Sequence, residues 1–171
     1  PLKQDKYGFL QPVLQAFLHS SNDDCQGKDK HTLKPNHSCL LRHGVENHKT
    51  QSFIACIADV YCNEHQLSIL TIEEMKQKLI DELTIDKFIT LQNGNLTQYF
   101  DNNINVDIKR YETSKIYKET NFEDKSQLFL LNKVARSFEN FLNFLNDKDD
   151  IIDHTYLWDL VCEPNENLFK N

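Results

Sequence analysis

Apolar side chains recur at three- and four-residue steps along much of the chain, which is the spacing of one face of an α-helix. The longest stripe predicts a helix over residues 123–146. A second stripe, over residues 51–62, predicts a central buried helix with Cys56 on its buried face. A capping box of Thr71 and Glu74 predicts the start of a helix that continues to about Leu83, because each of the two side chains can bond the other's backbone N–H.

Shorter periodic stretches complete the predicted helices. They cover residues 9–20, 84–91, 95–100 and 150–161. Leu10, Val13, Leu14, Phe17 and Leu18 form one face of the first of them. Residues 21–37 are polar and aperiodic, which predicts a long surface loop.

Strand signals are weak and few. Residues 39–42 are either a buried strand or the start of a helix, and residues 105–117 alternate as a short strand would. The chain has only 4 glycines and 4 prolines, fewer than tight turns between strands usually need. We therefore expect a mainly α fold, a single helix-rich domain over residues 1–171 with at most a small sheet around 38–45 and 104–112. An α+β fold is the alternative, and the chain reads as a fragment of a longer protein.

Charge is unevenly distributed along the chain. The net charge is −7, and residues 146–166 hold seven acids and one base. Nucleic-acid binding relies on clustered Lys and Arg, so direct nucleic-acid contact is disfavoured. No apolar run reaches the ~20 residues that cross a bilayer, which excludes a membrane span. The acidic stretch favours a protein partner with a basic face, and the candidate interface residues are Asp149, Asp150, Asp153 and Trp158; a solvated surface is the alternative.

A zinc-stabilised module is one alternative function. Cys25, His31, His37 and Cys39 lie in or beside the polar loop and supply the N and S donors that zinc requires. Their spacing matches no standard zinc finger. Without a secretory signal the five cysteines are expected to be reduced, and no other cofactor is indicated.

A catalytic centre is the other alternative. Ser52 opens the central helix at the place where papain-like and deubiquitinase-like folds carry their cysteine nucleophile, and His154, with Asp153 or Asp159, could supply a base. Serine gains little from the helix dipole because its hydroxyl stays protonated. The alternative is therefore an inactive relative of such a fold, with Ser52 and His154 at vestigial catalytic positions.

Several stretches resemble a segment of very long proteins of giant DNA viruses. They are residues 35–45, 51–59, 91–96, 153–159, 164–165 and 168–169. Some of those proteins are described as similar to the large subunit of the poxvirus early transcription factor. The resemblance implies a role in promoter recognition and polymerase recruitment, in the host cytoplasm (the viral factory) or the virion, and it supplies no catalytic residues. The leading hypothesis is a non-enzymatic protein-interaction domain that contacts the viral transcription machinery.

Overall fold

The structure, a computed structural model, describes residues 2–29, 31–163, 165 and 167–169. Its contacts divide the chain into two compact units, Pro1–Asn47 and His48–Asn171, where the sequence predicts one domain. Each unit is described by itself.

The first unit contains the two-stranded sheet. Strand β1 (Tyr7–Phe9) pairs antiparallel with β2 (Leu41–His43), so the strand predicted within residues 38–45 is present. Gly44 follows β2 and its main chain bonds both Asp5 and Lys6. A Cβ at this position would lie 1.9 Å from the Lys3 carbonyl oxygen, so only glycine fits this close backbone approach.

Helix α1 (Pro12–Phe17) is shorter than the predicted helix over residues 9–20, because Phe9 belongs to β1. Its apolar face is exposed: Val13 and Phe17 retain 79% and 77% of their accessible surface. Leu10, which precedes the helix, is buried. The periodicity therefore indicates the helix but not a buried face.

The predicted loop over residues 21–37 is largely exposed and is organised by a few local contacts. A short 3₁₀ turn covers Asn22–Asp24, and an isolated antiparallel bridge joins Gln26 to Leu33. Cys25 and Cys39 form a disulfide with a Cα–Cα distance of 5.6 Å. The expectation that all cysteines are reduced is therefore wrong for these two.

The second unit is helical in its described part. Its helices are α2 (Ser52–His65), α3 (Ile72–Asp81), α4 (Ile85–Phe88), α5 (Leu96–Tyr99), α6 (Lys115–Glu119), α7 (Lys125–Asn146) and α8 (His154–Cys162). The capping box is present: Glu74 N–H donates to the Thr71 hydroxyl at 3.2 Å, and Thr71 N–H donates to the Glu74 carboxylate at 2.8 Å. The mainly α prediction is confirmed.

Helix α7 carries the centre of the core. Its buried positions repeat at helical spacing and include Leu131, Val134, Phe138, Phe141 and Leu145. Aromatic rings from α4, from α8 and from Phe100 just after α5 pack around it, with Phe141 5.4 Å from Phe88 and 5.0 Å from Phe100 between ring centroids. Such offset ring contacts add to the free energy of simple apolar burial.

The strand predicted within residues 104–112 is absent, because this segment forms a 3₁₀ helix over Ile108–Tyr111. The Tyr111 hydroxyl donates to the Glu139 carboxylate at 2.6 Å, which ties the segment to α7. Burial and this bond to a carboxylate raise the pKa of Tyr111. Among the described residues, no helix combines the length and the apolar character needed to cross a membrane.

Candidate interaction groove

Helices α2 and α8 of the second unit border an open apolar groove, called here the Trp158 groove. Its volume is about 490 Å³. Its α2 side is one helical stripe, its α8 side is a shorter one, and Phe169 from the C-terminal segment completes the lining. The lining residues are Phe53, Cys56, Ile57, Val60, Glu64, Trp158, Val161, Cys162 and Phe169.

Two contacts join the C-terminal segment to α2 at the far end of the groove. Phe169 packs edge-on against Tyr61 with a centroid distance of 6.1 Å. The Leu168 carbonyl oxygen lies 2.9 Å from His65 Nε2, and the Leu168 side chain is buried. The near end is marked by Phe53, whose ring contacts His154 at 6.1 Å. The two helices therefore begin side by side at the near end.

Large apolar side chains remain exposed in this groove. Trp158 retains 57% of its surface and Val60 retains 56%. Cys56 is also exposed, so its predicted position on the buried face of α2 is wrong. Burial of part of its surface, with the negative charge of Asp59, raises the pKa of the Cys56 thiol. Apart from Glu64, the groove thus presents apolar side chains and thiols to solvent.

The start of α2 is fixed by a buried polar cluster. Lys76 Nζ donates to Gln51 Oε1 at 3.2 Å and to the Asp147 carbonyl oxygen at 2.7 Å. Gln51 Nε2 donates to the carbonyl oxygens of Asp147 and Asp150 at 2.8 and 3.1 Å. Lys76 and Gln51 are only 3% and 1% exposed. Burial lowers the pKa of Lys76, opposed by the carboxylates of Glu73 and Asp147.

Helix α8 is fixed at its start and along its inner face. The Asp153 carboxylate accepts from Thr155 N–H at 2.8 Å, which caps the helix, and this bonding to Thr155 lowers the pKa of Asp153. Asp159 Oδ2 accepts from Gln92 N–H at 2.6 Å. Gln92 has a φ of 49°, in the left-handed region that a bulky residue seldom adopts, so Asp159 helps to hold a strained turn.

The predicted catalytic residues Ser52, His154 and Asp159 each contact a different residue. The Ser52 hydroxyl donates to the His48 carbonyl oxygen at 2.6 Å and accepts from His48 N–H at 2.9 Å. His154 contacts Phe53, and the Asp159 carboxylate accepts from Gln92. No hydrogen bond joins Ser52 to His154 among the described residues, and each candidate has a separate structural partner. In the described part of the chain, Ser52 and His154 therefore do not form a hydrogen-bonded nucleophile–base pair.

The four predicted zinc ligands all belong to the first unit. Cys25 and Cys39 are bonded to each other, and His37 Nδ1 lies 2.9 Å from the Pro35 carbonyl oxygen. His31 is exposed. Within the described ranges, the structure holds no group of three or more His, Cys, Asp or Glu side chains that could bind a metal ion. The four predicted ligands are not brought together as a set, and zinc stays a hypothesis for metal analysis.

The predicted interface residues separate in the structure. Trp158 lies in the groove, whereas Asp149 and Asp150 are exposed in the turn after α7, where their N–H groups donate to the Asp147 carboxylate. Glu166 of the acidic stretch lies outside the described residues. Sequence reasoning missed Phe53, Cys56 and Val60 as surface residues because α2 is apolar on almost every side. Only its packing against the rest of the unit decides which side is exposed.

Comparison of the chain with protein-family models, with curated proteins and with solved structures gave no match.

Proposed function

We propose that this chain is a non-enzymatic protein-interaction domain that receives a partner protein in the Trp158 groove. The observation that carries this proposal is the exposed Trp158, 57% accessible, on the α8 wall of an apolar groove between two helices. Tryptophan is enriched among the residues that dominate binding energy at protein interfaces. Exposed apolar patches of this kind mark interaction sites in many monomeric proteins.

The rigidity of the walls supports a binding role. Buried hydrogen bonds from Gln51 and Lys76 anchor α2, and Asp153 and Asp159 anchor α8. A preformed groove loses little conformational entropy when a partner docks, so more of the contact energy appears as affinity. Two of the residues predicted as catalytic have structural hydrogen bonds instead, Asp159 with Gln92 and Ser52 with His48. This favours a structural role for them over a catalytic one.

The proposal can be tested with a displayed library of short peptides selected on the intact protein. Peptides that depend on the groove should bind Trp158→Ala at least tenfold more weakly than wild type, since a central aromatic anchor is worth about 2 kcal/mol or more. The matched control is Phe129→Ala, which removes an exposed aromatic residue on α7, 64% accessible, outside the groove lining. Failure to select any peptide, or equal loss of binding in both variants, would overturn the proposal.

The resemblance to giant-virus proteins adds a biological context to this proposal. We propose that the partner belongs to the viral early transcription machinery and that binding takes place in the viral factory or in the virion. The acidic charge of the chain supports a protein contact over a promoter contact. Affinity purification from infected cells should recover viral RNA polymerase subunits with wild type and lose them with Trp158→Ala; recovery unchanged by the substitution would contradict this assignment.

A further inference from the structure

Helices α2 and α8, which form the walls of the Trp158 groove, contain acidic residues and no Lys or Arg. The acidic residues are Asp59, Glu64 and Asp159. Asp153 precedes α8 and Glu163 follows it. Because Asp159 bonds Gln92 on the inner face of α8, Glu64 is the acidic side chain within the apolar lining.

Three carboxylates, those of Glu64, Asp59 and Glu163, lie in or beside the groove lining. Glu64 is part of the lining, and Asp59 is near enough to the lining residue Cys56 to act on its thiol. Glu163 directly follows the lining residue Cys162 and is exposed. Residues 48–171 as a whole hold 21 acidic and 13 basic side chains, a formal charge of −8. Lys78 Nζ lies 5.2 Å from the Tyr61 ring centroid at the far end, but the net negative charge of the unit favours positively charged partners.

The length of the groove and its helical walls suit a helix of a partner protein. Its α2 wall runs from Phe53 to Glu64, which corresponds to about 16 Å or three helical turns. Ridges on a third helix can pack between two helices, whereas strand addition needs an open sheet edge. Both walls are helices whose backbone groups are already bonded internally, so they offer no such edge.

We infer that the Trp158 groove binds an amphipathic α-helix of a partner protein, about three turns long, with an apolar face and Lys or Arg on its flanks. The apolar face covers Trp158 and Val60, and the basic flanks meet Glu64 and Glu163. This inference rests on the proposed interaction function and adds the chemistry of the partner.

The sole tryptophan of the chain gives a direct readout, because Trp158 lies in the groove itself. Two synthetic helical peptides with the same apolar face are compared, one with Lys and one with Glu on the flanks, together with a basic proline-rich peptide. Binding is followed by the shift of Trp158 emission to shorter wavelength. The Lys peptide should bind at least tenfold more tightly than the other two, and its advantage over the Glu peptide should shrink as salt rises.

Neutral substitutions of the acidic residues test which carboxylates produce the preference for the Lys peptide. The double variant Glu64→Gln with Glu163→Gln should reduce the preference for Lys over Glu at least threefold, whereas Glu119→Gln, an exposed change on α6, should leave it unchanged. Equal binding of the Lys and Glu peptides, or tighter binding of the proline-rich peptide, would overturn the basic-helix assignment and leave the interaction function standing. A lack of emission change with all three peptides would overturn both.

Discussion

The buried cluster of Gln51, Lys76 and Asp147 should stabilise the second unit through coupled rather than additive contributions. Replacing Lys76 by Met removes a buried charge but leaves Gln51 Oε1 without its observed donor at 3.2 Å. An unsatisfied buried acceptor costs about 1–3 kcal/mol, so Lys76→Met should lower the free energy of unfolding by about that amount. Gln51→Leu should cost more, about 3 kcal/mol, because it removes one acceptor of the buried Lys76 ammonium and the donor to the Asp147 and Asp150 carbonyl oxygens.

The double variant distinguishes coupling from independent loss. Once both side chains are apolar, neither leaves the other unsatisfied, although the Asp147 and Asp150 carbonyl oxygens still lose their donors. The combined cost should therefore be about 1–3 kcal/mol smaller than the sum of the two single costs. Urea unfolding followed by helical circular dichroism measures all four proteins. Thr71→Ala combined with Lys76→Met serves as the control pair, since the Thr71 hydroxyl bonds Glu74 and not this cluster. If the cost of the double variant equals the sum of the two single costs, the proposed coupling between Gln51 and Lys76 is refuted.

Alkaline pH gives a second readout of the same cluster. Because burial lowers the folded-state pKa of Lys76 below its ordinary value of 10.5, the folded protein releases this proton at a lower pH than the unfolded chain. The free energy of unfolding therefore gains a positive contribution as pH rises from the lowered pKa towards 10.5. The difference between wild type and Lys76→Met should grow over this window. A constant difference would refute the lowered pKa.

The remaining predictions concern single contacts. Thr71→Ala should lower the free energy of unfolding by about 1 kcal/mol through loss of the helix cap, and a change below a few tenths would contradict the capping role. Phe141→Ala should cost about 3–5 kcal/mol in the same urea assay, because its ring is fully buried among other aromatic rings; a cost near 1 would contradict that packing. Alkylation of the unreduced, denatured protein should modify three of the five cysteines, leaving Cys25 and Cys39 protected, and five modified cysteines would contradict the disulfide.

The sequence predictions that are confirmed depend on signals between residues close together in the chain. The capping box of Thr71 and Glu74 specifies a helix start within four residues, and the stripe of α7 repeats over six turns, so neither needs information from distant parts of the chain. Both features depend on side chains that are close in sequence. The helical class therefore follows from the sequence.

Nonlocal pairing accounts for the errors. Strand β1 pairs with residues more than thirty positions away and contains only three residues, too few to show a period. Cys25 and Cys39 meet only because the loop between them turns back on itself. The exposure of Cys56 depends on where α8 lies against a helix that is apolar on most sides. Apolar residues exposed for binding carry the same sequence pattern as apolar residues buried for stability.

The reactivity of Cys162 tests the central claim most directly, because this exposed thiol lines the Trp158 groove. Its alkylation rate is measured with and without a saturating peptide selected on the intact protein, beside a control thiol placed on α7 by Ser126→Cys. Occupation of the groove should slow alkylation at position 162 at least tenfold and leave position 126 unchanged. An unchanged rate at Cys162 with the peptide fully bound would show that the partner sits elsewhere.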